Sequence, residues 1–407
     1  MRLICAFFML FVFAAPLAAQ TALPDEHSVA TALDAHPTVV AARARLEAAR
    51  ARAEGLRRGP HEFTVTGSYT RRSVDLGGEF DEFDAQLSRP IRLPGKARLD
   101  REIGQFGIEA ASDLAEDARH QVALLLSSYW FDWLSASAQA RVDRVAVSNY
   151  QASLAAVTRR MELRDAAQLD VDRARAALAA ARLAAEHSQG LAALAQTRLE
   201  AHFPGLPLPT EAPEIPQPDI AEARLAQLRD LVIFNSHEIA AAEAEARRMA
   251  AVADRMDRDR MADPSIGLRV FSEFGGAETG AGLTFSLPLG GGHRRALASE
   301  ASAGASAARA EESLARYNVE ETANADVVEA RYRIAAWQRS RETVEAQSAA
   351  LQRLRRGYDL GEIDLVDPLL SERMVHDAFR IEVEARGEAM RAITTLRIDA
   401  HELWLAD

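Results

Sequence analysis

The feature that most constrains this chain is a strand-to-helix passage written twice. Ser88-Arg89-Pro90-Ile91-Arg92-Leu93-Pro94-Gly95-Lys96-Ala97-Arg98 leads from a short alternating run into a very long alanine-rich stretch. Ser286-Leu287-Pro288-Leu289-Gly290-Gly291-Gly292-His293-Arg294-Arg295 does the same in the second half. Proline and glycine end each strand run and turn the chain, after which no proline interrupts residues 99–160 or 294–356. What repeats is an architecture: paired strands spliced between helices several times the usual globular length.

The order of signals along the chain bears this out. A short helical pattern, His27 to Ala35, stops at His36-Pro37, and a longer one runs from Thr38 to Arg58 before Gly59-Pro60. Phe63 to Thr70 alternates with period two, Asp75 to Gly78 reads as a turn, and Phe83, Ala85 and Leu87 alternate with Asp84, Gln86 and Ser88. Leu114, Ala118, Val122, Leu125, Tyr129 and Trp133 then recur at helical steps in a run from about Leu99 to Arg160, on the order of 90 Å of helix. A break at Leu163 to Gln168 precedes a further helix, Leu169 to His202. Six prolines from Pro204 to Pro218 follow.

The second half repeats the series at an offset of roughly 200 residues. Asn235-Ser236-His237-Glu238 answers the first helix start, Asp263-Pro264 answers Gly59-Pro60, and two alternating runs occupy Ile266–Val270 and Ala281–Leu289. A long helix from Arg294 breaks near Gly361 and resumes to about Leu405. The expected division is a signal peptide at 1–19, a first helix-hairpin-helix repeat at 20–203, a Pro-rich linker at 204–219 and a second repeat at 220–407.

Arg2, the apolar Leu3 to Phe13 and the small residues to Ala19 read as a secretion signal, since a run this short does not span a bilayer as a helix. The only cysteine, Cys5, falls within it, so no disulfide or thiol chemistry is expected. Later apolar runs are interrupted by charges, so any membrane entry must be made by strands. A net charge of -12 excludes a nucleic-acid partner. Each strand run carries one apolar face and one polar or glycine-rich face, which fits a membrane β-strand or a soluble sheet with one buried side. If the strands lie in lipid, four cannot close a barrel, and several chains must combine. Alanine-rich helices allow close side-by-side packing, and a ring of them encloses a tube.

Over its mature length the chain resembles the TolC-type outer-membrane efflux proteins. The likeness rests on the two strand-exit passages, the Ala35-His36-Pro37 helix start, and the breaks Leu163-Arg164-Asp165-Ala166-Ala167-Gln168-Leu169-Asp170-Val171 and Leu360-Gly361-Glu362-Ile363-Asp364-Leu365-Val366-Asp367-Pro368. The resemblance implies a mainly α fold with a small β part. Four transmembrane strands per chain would complete a twelve-stranded barrel in a homotrimer, above a periplasmic helical tunnel. It implies an outer-membrane exit duct of a tripartite efflux or type I secretion system, with a periplasmic adaptor, an inner-membrane pump and outer-membrane lipid as partners. The two breaks match the tips where an adaptor docks, which marks Leu163, Arg164, Leu360, Gly361 and Glu362; the bare reading is an ordinary helical-hairpin turn. Arg164 stands where the family has glycine. Asp170 and Asp367 match the tunnel constriction, where carboxylates gathered by symmetry favour cations; Asp170 also suits capping of the helix it opens. The family's second acidic position is Leu370 here.

Gly290 to Gly292 with Arg294 and Arg295 lack the lysine and hydroxyl of a phosphate loop and read as a turn. Lys96, Arg98, Arg294 and Arg295 are expected near anionic head groups. Trp130, Trp133, Tyr332 and Trp337 are expected to pack between helices. No metal-ligand or nucleophile-base pattern is visible among the ten histidines, so no enzyme activity and no cofactor are expected. The rival readings are a secreted periplasmic coiled-coil scaffold and, behind it, a periplasmic hydrolase.

Overall fold

The structure, a computed structural model, describes residues 23–405, so the signal segment lies outside the described residues. Its element order runs twice through one plan. The first pass is α1 (Glu26–Ala35), α2 (Pro37–Arg58), β1 (Thr64–Val74), β2 (Gly78–Pro90), α3 (Lys96–Glu162) and α4 (Gln168–His202). The second is α5 (Glu222–Phe234), α6 (His237–Arg258), β3 (Ser265–Glu273), β4 (Glu278–Ser286), α7 (Gly292–Asp359) and α8 (Val366–Asp399). Of these, α5 was not anticipated, although Leu225, Leu228 and Val232 already sit at helical spacing and are all buried.

Local chemistry sets the boundaries. Asp25 caps α1 by accepting the Ser28 N–H at 3.0 Å. The His-Pro start of α2 works because proline needs no partner at the first helical position, while His36 Nδ1 accepts the Thr38 N–H at 3.3 Å. Its counterpart in α6 is Ser236, whose Oγ accepts the Ile239 N–H at 3.2 Å. The helices α3 and α7 run for 67 and 68 residues, about 100 Å each.

In sheet order the strands are β1-β2-β3-β4, antiparallel throughout. The β2–β3 pairing joins the two hairpins across the repeat and leaves β1 and β4 as edges. The alternation expected to reach Leu289 stops at Ser286, which faces Ser265, the first residue of β3; Leu289 is exposed.

Among the long helices, α4 packs on α3, α3 on α8, and α8 on α7, while α2 and α6 lie along α3 and α7. The largest core surrounds Leu126, Trp130, Phe131, Trp133 and Leu134 of α3, met by Leu33 of α1, Leu199 of α4, Ile215 of the Pro-rich segment and Trp404. A second gathers Leu225, Leu228 and Val232 of α5 against Ala323, Val327 and Ala330 of α7 and Leu396 of α8. Both lie where short elements and the linker wrap the long helices.

The expected stripe on α3 is shifted. Leu114 is exposed, and burial follows Ala115, Val122, Leu126, Trp130 and Trp133 with Leu134. A single stripe suits a helix with one neighbour, whereas α3 touches α2, α4, α6 and α8 along its length and its buried face turns accordingly. Trp130, Trp133 and Trp337 are buried as expected, but Tyr332 is exposed, with the Arg333 guanidinium over its ring at 5.0 Å.

Candidate functional site

The sheet inverts the soluble pattern. Val65, Leu87, Leu268 and Leu283 stand in one register row across all four strands, flanked by Phe285 beside Ile266 and by Tyr69 beside Phe83. The apolar side is exposed: Val65 is 76%, Leu283 91% and Phe285 69% exposed. The opposite row Thr66, Gln86, Arg269 and Gly282 is polar. Along β2 its even-numbered residues are the better covered, the polar side chains lying over one another. Arg269 ion-pairs with Asp84 there, and Arg72 meets Glu82 at 2.9 Å. A soluble sheet buries its apolar face; this one offers it outward.

Where strands become helices, a network of buried charge ties the two repeats. Lys96 Nζ, almost wholly buried, reaches Asp259 at 2.7 Å, Asp263 Oδ1 at 2.8 Å and the Met261 carbonyl at 2.8 Å. Asp263 also accepts the Leu93 N–H at 3.0 Å and contacts His61 Nε2 at 2.9 Å. Burial alone would raise the Asp263 carboxyl, but Lys96, His61 and Leu93 outweigh it and hold it at about 2. Beside it, Asp100 binds Arg92 at 3.2 Å and Arg255 at 2.7 Å. The expectation that Lys96 faces head groups is therefore corrected: a buried ammonium takes carboxylates that are fixed around it. Arg98 pairs with Glu102 one turn on and stays exposed.

At the far end of the long helices the two hairpin turns share one hydrogen-bond pattern. Leu163 N donates to Arg159 O, Arg164 N to Met161 O and Asp165 N to Arg160 O; Leu360 N donates to Arg356 O, Gly361 N to Tyr358 O and Glu362 N to Gly357 O. Arg164 and Gly361 both adopt positive φ, 62° and 75°. The arginine thus keeps the glycine geometry at the cost of about 1 kcal/mol. Leu163 and Leu360 project from the two turns at 65% and 66% exposure. Buried Val157, Val171 and Leu365 hold the turns together, and the Arg160 guanidinium lies 4.5 Å from the Tyr358 ring centroid. These two tethering residues carry no local signature, since α3 and α7 supply one each.

Asp170 opens α4 and accepts the Ala167 N–H at 3.3 Å, with Arg173 at 3.5 Å, so it performs the capping role. Asp367 lies exposed in the first turn of α8, next to buried Pro368 and two residues past buried Leu365. Among the described residues no group of three or more His, Cys, Asp and Glu side chains is arranged to hold a metal ion, and no helix is long and apolar enough to cross a membrane.

The outer membrane efflux protein family model matches residues 29–202. No curated protein matches the chain. Among solved structures, the Vibrio cholerae outer membrane protein VceC superposes with a TM-score of 0.74 at 18% identity, covering 92% of this chain and 95% of that one. The Campylobacter jejuni outer membrane channel CmeC gives 0.65 at 15% identity over 94% and 86% of the two chains. The open-state Neisseria gonorrhoeae MtrE channel gives 0.66 at 18% identity over 93% and 89%.

Proposed function

We propose that this chain, which resembles the TolC-type outer-membrane efflux proteins in its family-matched first repeat and in its whole fold, is the outer-membrane exit duct of an efflux system. The observation that carries the reading is the exposed apolar row Val65, Leu87, Leu268 and Leu283 on a sheet whose other side is polar. Lipid satisfies the first side and a water-filled lumen the second. The open edges of β1 and β4 are supplied by further copies of the chain, so that three chains give twelve strands. The helices extend into the periplasm as a tunnel wall. A scaffold protein gains nothing from 91% exposure of Leu283 and is the weaker reading.

At the tunnel end, Leu163 and Arg164 of one turn and Leu360, Gly361 and Glu362 of the other form the contact for a periplasmic adaptor, which links the duct to an inner-membrane pump. Two exposed leucines on identically folded turns favour this, because they present one apolar motif twice per chain. Asp367 supplies the ring of carboxylates that narrows the channel and favours cations, with Asp170 behind it as a capping residue of reduced charge influence. The experiment is fractionation followed by planar-bilayer recording. A trimer in the outer-membrane fraction with cation-preferring conductance is expected. A soluble periplasmic monomer sinks the duct, and unchanged cation preference in Asp367→Asn removes Asp367 from the constriction.

A further inference from the structure

Far from both the strands and the tips, where α7 meets the end of α8, two carboxylates face one another. Asp326 of α7 contacts Asp399, the last residue of α8, within hydrogen-bonding reach, and Asp326 Oδ2 is buried with no hydrogen-bond partner. Ionised carboxylates only accept hydrogen bonds, so two of them in contact need a proton between them. Asp399 is 6% exposed and takes its other bond from α3, where His120 Nε2 lies 2.7 Å away.

We propose that Asp326 and Asp399 form a proton-binding site that fastens α7 to the end of α8 and lets go when the proton leaves. Asp326 has a second place to turn. It lines a cavity of about 230 Å³ with Glu329, Arg333, Glu388, Arg391 and Thr395, and Arg391 Nε is buried there without a partner. On loss of the proton to water, the ionised Asp326 faces that unfilled donor and exchanges a carboxyl-carboxylate bond for an ion pair.

Apart from His120, which ion-pairs with Asp399 when protonated, the surroundings supply no cation where the two acids meet. On α7 itself, Arg333 is committed to Glu329 at 3.1 Å and to Glu388, while Arg391 of α8 binds Asp132 of α3. From α3 comes His120, its ring 5.3 Å from His401, which lies 5.0 Å from His237 of α6; His237 contacts Asp113 at 3.7 Å. Glu238 of α6 and Asp117 of α3 add a further acidic pair, and burial raises Glu238. The α5 helix brings apolar Leu225, Leu228 and Val232, its Glu222 pairing with Arg331. Burial first, then the Asp399 charge, push Asp326 up to about 8. The sign follows: the folded state holds this proton when the unfolded chain has lost it. Its stabilisation is therefore complete below the ordinary Asp value of 3.8 and disappears as pH rises through about 8.

The test uses the full mature protein purified in detergent. Its thermal midpoint is expected to fall by about 3 °C between about pH 6 and about pH 9, and Asp326→Asn, which keeps a donor without titrating, should flatten that fall. Infrared difference spectra of the unmodified protein give a readout independent of any variant's folding. A protonated carboxyl carbonyl band should be present at about pH 6 and lost at about pH 9, and it should be missing in Asp326→Asn. Parallel pH profiles for the two proteins, or no such band, overturn the site.

Discussion

At the residue scale, Lys96 shows how position in a motif and chemical role come apart. It is the only lysine in the chain and sits in the first strand-exit passage, which placed it at the boundary between strand and helix. Its partners Asp259 and Asp263 lie more than 160 residues away, so nothing local announced them. Lys96→Met is expected to destabilise the protein by about 3 kcal/mol, since it removes the buried ammonium shared by Asp259 and Asp263. Arg98→Ala, which removes an exposed one-turn pair, should stay within about 0.5 kcal/mol; chemical-denaturation midpoints separate the two. The same variant carries a pH signature. Asp263 is depressed to about 2, so its stabilisation is present above the ordinary value of 3.8 and is lost as pH falls through about 2. Without Lys96 the Asp263 carboxyl moves up, and acid unfolding of Lys96→Met should begin at higher pH than in the unmodified protein.

At the scale of elements, alternation and punctuation were enough to find four strands and the long helices, because period-two and period-3.6 patterns need no tertiary information. They could not choose between lipid and a protein core for the apolar strand face; the register row and its exposure favour lipid, as proposed above. The α3 stripe was misplaced by one residue at Leu114 for the opposite reason, as several neighbours share that helix. The tip turns were legible in outline, but the equivalence of Arg164 to Gly361 needed backbone angles. Arg164→Gly is therefore expected to stabilise the first turn by about 1 kcal/mol, whereas Gly361→Val should cost at least that much. Thermal melts of the two variants must move in opposite directions. For the strands, Leu283→Arg should cost about 2–4 kcal/mol of membrane stability if the residue lies near mid-bilayer, and it should deplete the protein from the outer-membrane fraction. The polar-face change Gly282→Ser should leave that fraction unaltered, there being open space at Gly282 for a side chain.

At the scale of the whole molecule, the proposed duct requires copies of the chain to supply what one chain leaves open. The sheet ends at β1 and β4, and α4 and α7 lie at the outer ends of the run α4, α3, α8, α7. Sheet and helices alike end in unpartnered borders, which suits closure by copies related by rotation. Parity makes this testable. Val65 and Leu283 belong to one register row, so the residues of β1 at 65, 67 and 69 share the side of Leu283 while 66, 68 and 70 face the other way. Within one chain three strand spacings, about 14 Å, separate β1 from β4, too far for a disulfide, which needs Cα atoms within about 7 Å. The sole native cysteine is Cys5. Leu283→Cys combined with a cysteine at one of Val65, Gly67 or Tyr69 should therefore yield a covalent ladder ending at three chains on a non-reducing gel. The same change at Thr66, Ser68 or Thr70 should leave single chains, because those side chains point to the opposite, polar side of the sheet. Cross-linking that favours the even positions, or ladders that run past three chains, would rule out the closed trimer.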